Sequence, residues 1–72
     1  IRAFPNPCED VVYLVGVAGN SLVRVYDVSG RLLLEETMNN GQIDLSSIEE
    51  RGMLVLSVGV ENHIEHLQVI KR

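Results

Sequence analysis

The sequence predicts an all-β domain: a small immunoglobulin-like β-sandwich of about seven short, mostly antiparallel strands. Apolar residues make up 46% of the chain but aromatic residues only 4%. The core must therefore be built mainly from Val, Leu and Ile, of which the β-branched residues favour strands. Turn signals recur between short apolar runs, at the spacing typical of such a sandwich. Residues 1–72 form one domain, which buries only about 60% of its unfolded surface and leaves little room for a catalytic cleft.

The N-terminal third predicts two strands separated by a proline-rich segment. Ile1 to Phe4 is a short apolar run, and Pro5-Asn6-Pro7 ends it because two prolines remove backbone donors and hold the chain extended. We expect this segment to leave the sheet at an edge. Val11 to Val17 is the second strand, ended by Gly16, Gly19 and Asn20.

A β-hairpin is predicted over residues 21–34. Val23 and Val25 alternate with polar or amphipathic residues, as in a strand with one buried face. A turn follows at Asp27 to Gly30, where Gly30 supplies a positive φ. The apolar pattern then restarts at Leu32 to Leu34 as the partner strand.

The middle of the chain predicts a second hairpin and one turn of helix. Asn39-Asn40-Gly41 contains Asn-Gly, a strong signal for a tight hairpin turn. Ile43-Asp44-Leu45 is a very short apolar piece. Residues 46–50, Ser-Ser-Ile-Glu-Glu, fit a capping box, which predicts a single helical turn there.

The last third predicts a central strand and a terminal strand. Gly52 opens Met53 to Val60, which is apolar on both faces and therefore suits the middle of a sheet. Glu61-Asn62 marks a turn, and His63 to Ile70 forms the last strand.

Charge and hydropathy exclude two classes of partner. The net charge is −4, with no basic stripe, which argues against nucleic acid. Acidic pairs such as Glu9-Asp10 and Glu49-Glu50 suit solvated turns and strand ends. No segment approaches the roughly 20 apolar residues of a membrane-spanning helix.

The residues give no support for catalysis, for a cofactor or for a metal. Cys8 is the sole cysteine and is interpreted as a small buried hydrophobe at the edge of the core. His63 and His66 point to opposite faces of a strand and cannot share a metal ion. Cys8 with a histidine would be the only nucleophile pair, and neither residue lies in a recognisable catalytic context. The glycines have no phosphate-binding spacing, and we expect no small-molecule substrate.

Four motifs, taken in order, carry the argument further. They are Pro5-Asn6-Pro7, the segment Val25-Tyr26-Asp27-Val28-Ser29-Gly30-Arg31, Ile43-Asp44-Leu45-Ser46-Ser47 with Gly52, and Val69-Ile70-Lys71-Arg72. Over essentially its whole length the chain closely resembles the C-terminal sorting domains of type IX secretion system (Por secretion system) substrates.

The resemblance implies a function without enzymatic activity. Domains of this family lie at the end of cargo proteins, so the chain would be a piece of a longer secreted protein. They direct the cargo from the periplasm through an outer-membrane translocon to the cell surface or the medium. A sortase-like cysteine peptidase then usually removes the domain, and the cargo is released or joined to lipopolysaccharide. The cleavage point is expected upstream of Ile1.

The resemblance also suggests which residues the secretion machinery recognises. We expect recognition at Val69, Ile70, Lys71 and Arg72, with the last strand offering edge amides and two charges. The other motif residues are interpreted as scaffold: Pro5, Asn6, Pro7, Val25, Tyr26, Asp27, Gly30, Asp44, Leu45 and Gly52. Met53 stands where many family members carry an aromatic residue, and we expect it to fill the core.

Two alternatives stay open. The chain could be a small immunoglobulin-like adhesion or carbohydrate-binding module, for which Phe4, Tyr13 and Tyr26 are the only aromatic candidates. Their positions on separate predicted strands argue against a shared sugar platform. An isolated domain could also form a strand-exchanged dimer, or a dimer linked through Cys8.

Overall fold

The computed structural model describes all residues 1–72 and contains seven strands in two antiparallel sheets. The strands are β1 (Arg2–Phe4), β2 (Val11–Val15), β3 (Leu22–Tyr26), β4 (Leu32–Thr37), β5 (Gln42–Asp44), β6 (Gly52–Val60) and β7 (His63–Lys71). One sheet has the order β1-β2-β5 and the other β4-β3-β6-β7. The all-β, sandwich-like fold is confirmed.

The core lies between the two sheets and is built from alternating residues of the interior strands. Val23 and Val25 of β3 are fully buried, as predicted, and so are Leu54, Leu56 and Val58 of β6. β6 pairs with β3 on one side and with β7 on the other, which makes it one of the two interior strands of its sheet. Ile43 and Leu45 supply core side chains from the opposite sheet.

The turn between β3 and β4 has the predicted geometry. Gly30 adopts a φ of +92°. The Gly30 N–H donates to the Asp27 carbonyl at 3.0 Å, and the Asp27 N–H donates to the Arg31 carbonyl at 3.0 Å. The two strands therefore pair in one sheet, in the register that places Val25 opposite Leu34.

The turn at Asn39 to Gly41 forms, but it does not join two strands of one sheet. Asn40 and Gly41 both have positive φ, and Asn39 and Gln42 exchange two main-chain hydrogen bonds. The flanking strands β4 and β5 belong to different sheets. The predicted hairpin is thus wrong beyond its turn, because the chain crosses the sandwich immediately after one bridge.

Three further sequence predictions are wrong in detail. Residues 46–50 form no helical turn, because the chain closes a single turn instead: the Ile48 N–H donates to the Leu45 carbonyl at 3.0 Å, and the Ser46 N–H donates to the Asp44 carboxylate at 2.9 Å. Ile48 turns into the core instead. Met53 lies on the outer face of its sheet, 37% exposed, and does not fill the core. β2 ends at Val15 rather than at the predicted Val17, since Gly16 with a φ of +96° turns the chain.

The structure contains no helix long and apolar enough to span a membrane.

Candidate functional site

The end of the last strand is enclosed between two partners. On one side β6 pairs with β7 over its whole length, from Gly52 opposite Lys71 to Val60 opposite His63. On the other side lies a short segment, residues 6–8, which we call the N-terminal strap. Its Cys8 forms a parallel bridge with Lys71.

Three hydrogen bonds hold the strap against β7. The Ile70 N–H donates to the Asn6 side-chain oxygen Oδ1 at 2.8 Å. The Cys8 N–H donates to the Ile70 carbonyl, and the Arg72 N–H donates to the Cys8 carbonyl, each at 2.8 Å. The main chain of the terminal residues therefore has partners on both sides.

The last strand consequently has two halves with different environments. Alternation along the ladder turns the main-chain groups of Ile64, His66 and Gln68 to the same side as those of Ile70, away from β6. No strand is hydrogen-bonded to β7 there. We call residues 63–68 the open half, and residues 69–71 together with the following Arg72 the closed half. The prediction that the last strand offers free edge amides therefore fits the open half but not the terminal motif, where the strap occupies the edge.

The four motif residues of the closed half alternate between the interior and the surface. Val69 is 0% exposed and belongs to the core, and Lys71 is only 5% exposed. Ile70 is half-buried and Arg72 is exposed. The expectation of two exposed charges is therefore wrong, since only Ile70 and Arg72 present their side chains outward.

Lys71 is buried, and its one charged neighbour lies at the surface. Its Nζ lies 4.0 Å from Oδ1 of Asp10, whose side chain is well exposed. A lysine commonly buries its methylene groups in this way while the ammonium reaches the boundary with water. The side chain thus acts mainly as packing beneath the strap.

Cys8 packs beside Lys71 as the buried hydrophobe that the sequence predicted. The residue is 1% exposed. Burial raises the pKa of its thiol, against smaller opposing effects of a main-chain hydrogen bond and of Lys71. A disulfide to another molecule would require the strap to move away.

The histidines do not meet Cys8. His63 and Lys71 stand at the two ends of β7, which places them roughly 26 Å apart at the usual rise per strand residue. His63 instead pairs with Glu65, with Nε2 2.9 Å from Oε2. No three His, Cys, Asp or Glu side chains are grouped closely enough to hold a metal ion.

The Asp27 motif forms a self-contained turn. Its Oδ1 accepts the Ser29 N–H at 2.9 Å, the Ser29 hydroxyl at 2.6 Å and the Arg31 N–H at 2.9 Å. The Ser29 hydroxyl bond, followed by the Arg31 N–H, lowers the pKa of Asp27 below its usual value. Arg31 pairs with Asp27 and with Glu50, which ties this turn to the loop before β6.

The remaining motif residues also have structural positions. Asp44 accepts the Ser46 N–H, and the bonds from Ser46 lower the pKa of Asp44. Leu45 is fully buried. Gly52 has a φ of +99° at the position opposite Lys71, where the closed half begins its pairing with β6.

The aromatic side chains gather more closely than the sequence suggested. Phe4 on β1 is opposite Tyr13 on β2, and their rings stack with centroids 5.5 Å apart. Both are exposed on the outer face of the three-stranded sheet, whereas Tyr26 belongs to the other sheet. Their positions on separate predicted strands did not keep Phe4 and Tyr13 apart, because neighbouring antiparallel strands place their residues opposite each other.

One pocket of about 290 Å³ lies away from the terminal motif, between the ends of β4 and β5. Its lining is largely polar and includes Glu36, Thr37, Asn39, Gln42 and Asp44. None of the four terminal motif residues borders it.

Sequence reasoning missed the connection between Asn6 and the terminal strand. The two residues of that hydrogen bond are 64 positions apart. The only signal was an Asn flanked by two prolines, which indicates a fixed side-chain position but not its partner.

Comparison with known proteins agrees with the motif pattern. The sequence model of one family, described as the secretion system C-terminal sorting domain, matches residues 2–72. No curated protein and no solved structure gave a match.

Proposed function

The chain belongs to the secretion system C-terminal sorting domain family, and on that basis we propose that its folded terminal strand is the signal recognised by the secretion machinery. The family supports a C-terminal type IX sorting signal for a protein exported across the outer membrane. It is a family of sorting signals rather than of catalysts.

One observation carries the proposed mode of recognition: the closed half is paired on both edges and presents only two side chains. Ile70 and Arg72 lie on the outward face, while Val69 and Lys71 anchor the strand from below. A receptor that added its own strand at the closed half would need free main-chain groups, which the edge of the closed half lacks. Recognition therefore uses the side chains of Ile70 and Arg72 on a preformed surface.

The two outward side chains supply complementary forces. Ile70 lies opposite Met53 of β6, which is itself exposed, so the pair forms an apolar surface. Arg72 adds a cation beside it in a chain whose net charge is −4. We propose that the translocon receptor has an apolar site bordered by carboxylates.

The steps after recognition follow the same proposal. The domain passes from the periplasm through the outer-membrane translocon with its cargo and reaches the cell surface. A sortase-like cysteine peptidase then removes it upstream of Ile1. No catalytic residue, cofactor, nucleic acid or small-molecule substrate is required of this chain.

Fusion to a reporter tests this function. Residues 1–72 are placed behind a periplasmic reporter in a host with a type IX secretion system and in the same host lacking the translocon. We expect surface delivery only in the first, and loss of delivery when Ile70 to Arg72 are deleted. Retention of the intact fusion in the periplasm would refute the sorting function. Export of the deleted form would refute the terminal-strand mechanism.

Charge reversal at Arg72 tests whether its charge is recognised, and charge reversal at Arg51 is the control. Arg72→Glu should reduce export, whereas Arg51→Glu should not, because Arg51 is an exposed residue with no ion pair. Equal export of the two variants would show that the charge at the chain end is not recognised.

A second candidate function rests on the stacked aromatic pair. Phe4 and Tyr13 give the outer face of the three-stranded sheet an exposed aromatic patch, which is the chemistry of a carbohydrate-binding module. Glycan-array binding that disappears in Tyr13→Ala but persists in Tyr26→Ala would support it. No binding by the unmodified domain would dismiss it.

A further inference from the structure

We propose that Asn6 is a positioning residue for recognition: its side-chain oxygen orders the closed half so that Ile70 and Arg72 are presented to the receptor. This inference rests on the proposed function, because it assigns a task to the Pro-Asn-Pro motif within the same recognition surface. The Pro5, Asn6 and Pro7 positions were otherwise interpreted only as scaffold.

The burial of the strap shows that Asn6 is not required by the core. The side chains of Pro5, Asn6 and Pro7 are all exposed, and Cys8 is the only strap residue in the core cluster. The hydrogen bond from the Ile70 N–H to Oδ1 is the one side-chain hydrogen bond that Asn6 makes. A structural explanation based on packing therefore does not account for an amide at this position.

The hydrogen-bond pattern shows what the amide replaces. The strap runs parallel to β7, with Cys8 bonded to both Ile70 and Arg72. A regular parallel ladder would next offer the Ile70 N–H a main-chain carbonyl from residue 6. Here the Asn6 side chain takes that place. The flanking prolines restrict the backbone around Asn6, which fixes the direction of its side chain.

The position of this bond explains its effect on recognition. A segment with few hydrogen bonds to the rest of the fold opens locally at a low cost in free energy. The main-chain groups of Ile70 face away from β6, and Asn6 supplies the acceptor for its N–H. Without that acceptor, a receptor would have to order this segment during binding, which lowers affinity without changing any contact residue.

Two substitutions with side chains of nearly the size of asparagine distinguish loss of the hydrogen-bond acceptor at residue 6 from a change in side-chain shape. Asn6→Leu removes the acceptor, and Asn6→Asp restores it as a carboxylate. Amide hydrogen exchange of the domain and export of the reporter fusion are measured for both. Losing one hydrogen bond of ordinary strength should speed exchange at the Ile70 N–H by about fivefold. Exchange at Val23 and Leu56, in the core, should stay unchanged.

We expect Asn6→Leu to lower export by a similar factor, about fivefold, and Asn6→Asp to restore both export and protection at Ile70. Wild-type export by Asn6→Leu despite faster exchange would overturn the inference, as would failure of Asn6→Asp to rescue. Increased export by Asn6→Leu would also overturn it, because the strand would then be recognised in a released form. In each case, loss of export on deleting Ile70 to Arg72 would show that the proposed function itself still holds.

Discussion

The turn at Asp27 to Arg31 and the closed half of β7 are each held by at least three hydrogen bonds, but the partners in those bonds lie at very different distances along the chain. In the turn, a single carboxylate accepts bonds from residues two and four positions away. In the closed half, Ile70 bonds to Asn6, which lies 64 positions earlier, and to Cys8 of the same strap. The turn is therefore a local structure, whereas the closed half exists only when the whole sandwich is folded.

This difference indicates where a signal is best placed. A local turn can form in a partly folded chain, so a receptor that recognised it would not distinguish folded from unfolded domains. The closed half requires Val69 in the core and the strap against β7. A receptor that binds Ile70 and Arg72 on this surface would thereby select folded domains.

The largest expected effect comes from removing the anchor of the closed half. Val69→Asp places a carboxylate in a fully buried position and should destabilise the domain by more than about 4 kcal/mol. Ile64→Asp, on the open half of the same strand and 53% exposed, should change stability by less than about 0.5 kcal/mol. Urea unfolding measures both. Similar losses would show that the two halves do not differ as described.

The turn is disrupted by adding a single methyl group. Gly30→Ala should cost about 1–2 kcal/mol, because an L-residue is strained at a φ of +92° although nothing lies within 4 Å of the new Cβ. Gly59→Ala is the control, since Gly59 has no positive φ and its Cβ would meet only the end of Ile64. It should be neutral or slightly stabilising. A folded Gly30→Ala domain should still be exported, and its retention would mean that the turn takes part in recognition.

Replacing the buried Lys71 tests whether the closed half needs the charge of this side chain. Lys71→Met keeps the apolar stem and removes the ammonium, so stability should change by less than about 1 kcal/mol. Export should persist, because the Lys71 side chain is not on the surface. Thermal unfolding and the reporter assay provide the two measurements. A stable Lys71→Met domain that is not exported would assign recognition to this ammonium.

The smallest expected effect is on the folding stability of the domain at acid pH. The pKa of Asp27 is lowered in the folded state, first by the Ser29 hydroxyl and then by the Arg31 N–H. Its stabilising contribution is present above the unfolded pKa of about 3.9 and is lost as pH falls through the lower folded value. Asp27→Asn should therefore flatten the stability profile below about pH 4. The bonds between strap and β7 use neutral groups and should not add to that slope. An unchanged profile would show that Asp27 has no such role.

The sequence correctly predicted the structures that depend on residues close together along the chain. Alternation of Val23 and Val25, the positive φ of Gly30 and the turn at Asn40-Gly41 were all confirmed. The predicted helical turn at residues 46–50 was wrong, because the chain closes one turn from Leu45 to Ile48 and Asp44 holds the Ser46 N–H in front of it. Prediction from the sequence also failed where distant segments meet. Nothing near Ile70 in the chain indicates that Asn6 covers its edge, and the same applies to the burial of Lys71.

The most direct test of the account compares two isoleucines on the outward face of β7. Ile70 lies on the closed half and Ile64 on the open half. Each is changed to Asp in the reporter fusion, and surface delivery is measured beside a urea unfolding curve. We expect Ile70→Asp to leave the reporter in the periplasm and Ile64→Asp to be exported normally, while both domains remain folded. Normal export of Ile70→Asp, or equal loss in both variants, would contradict recognition at the closed half.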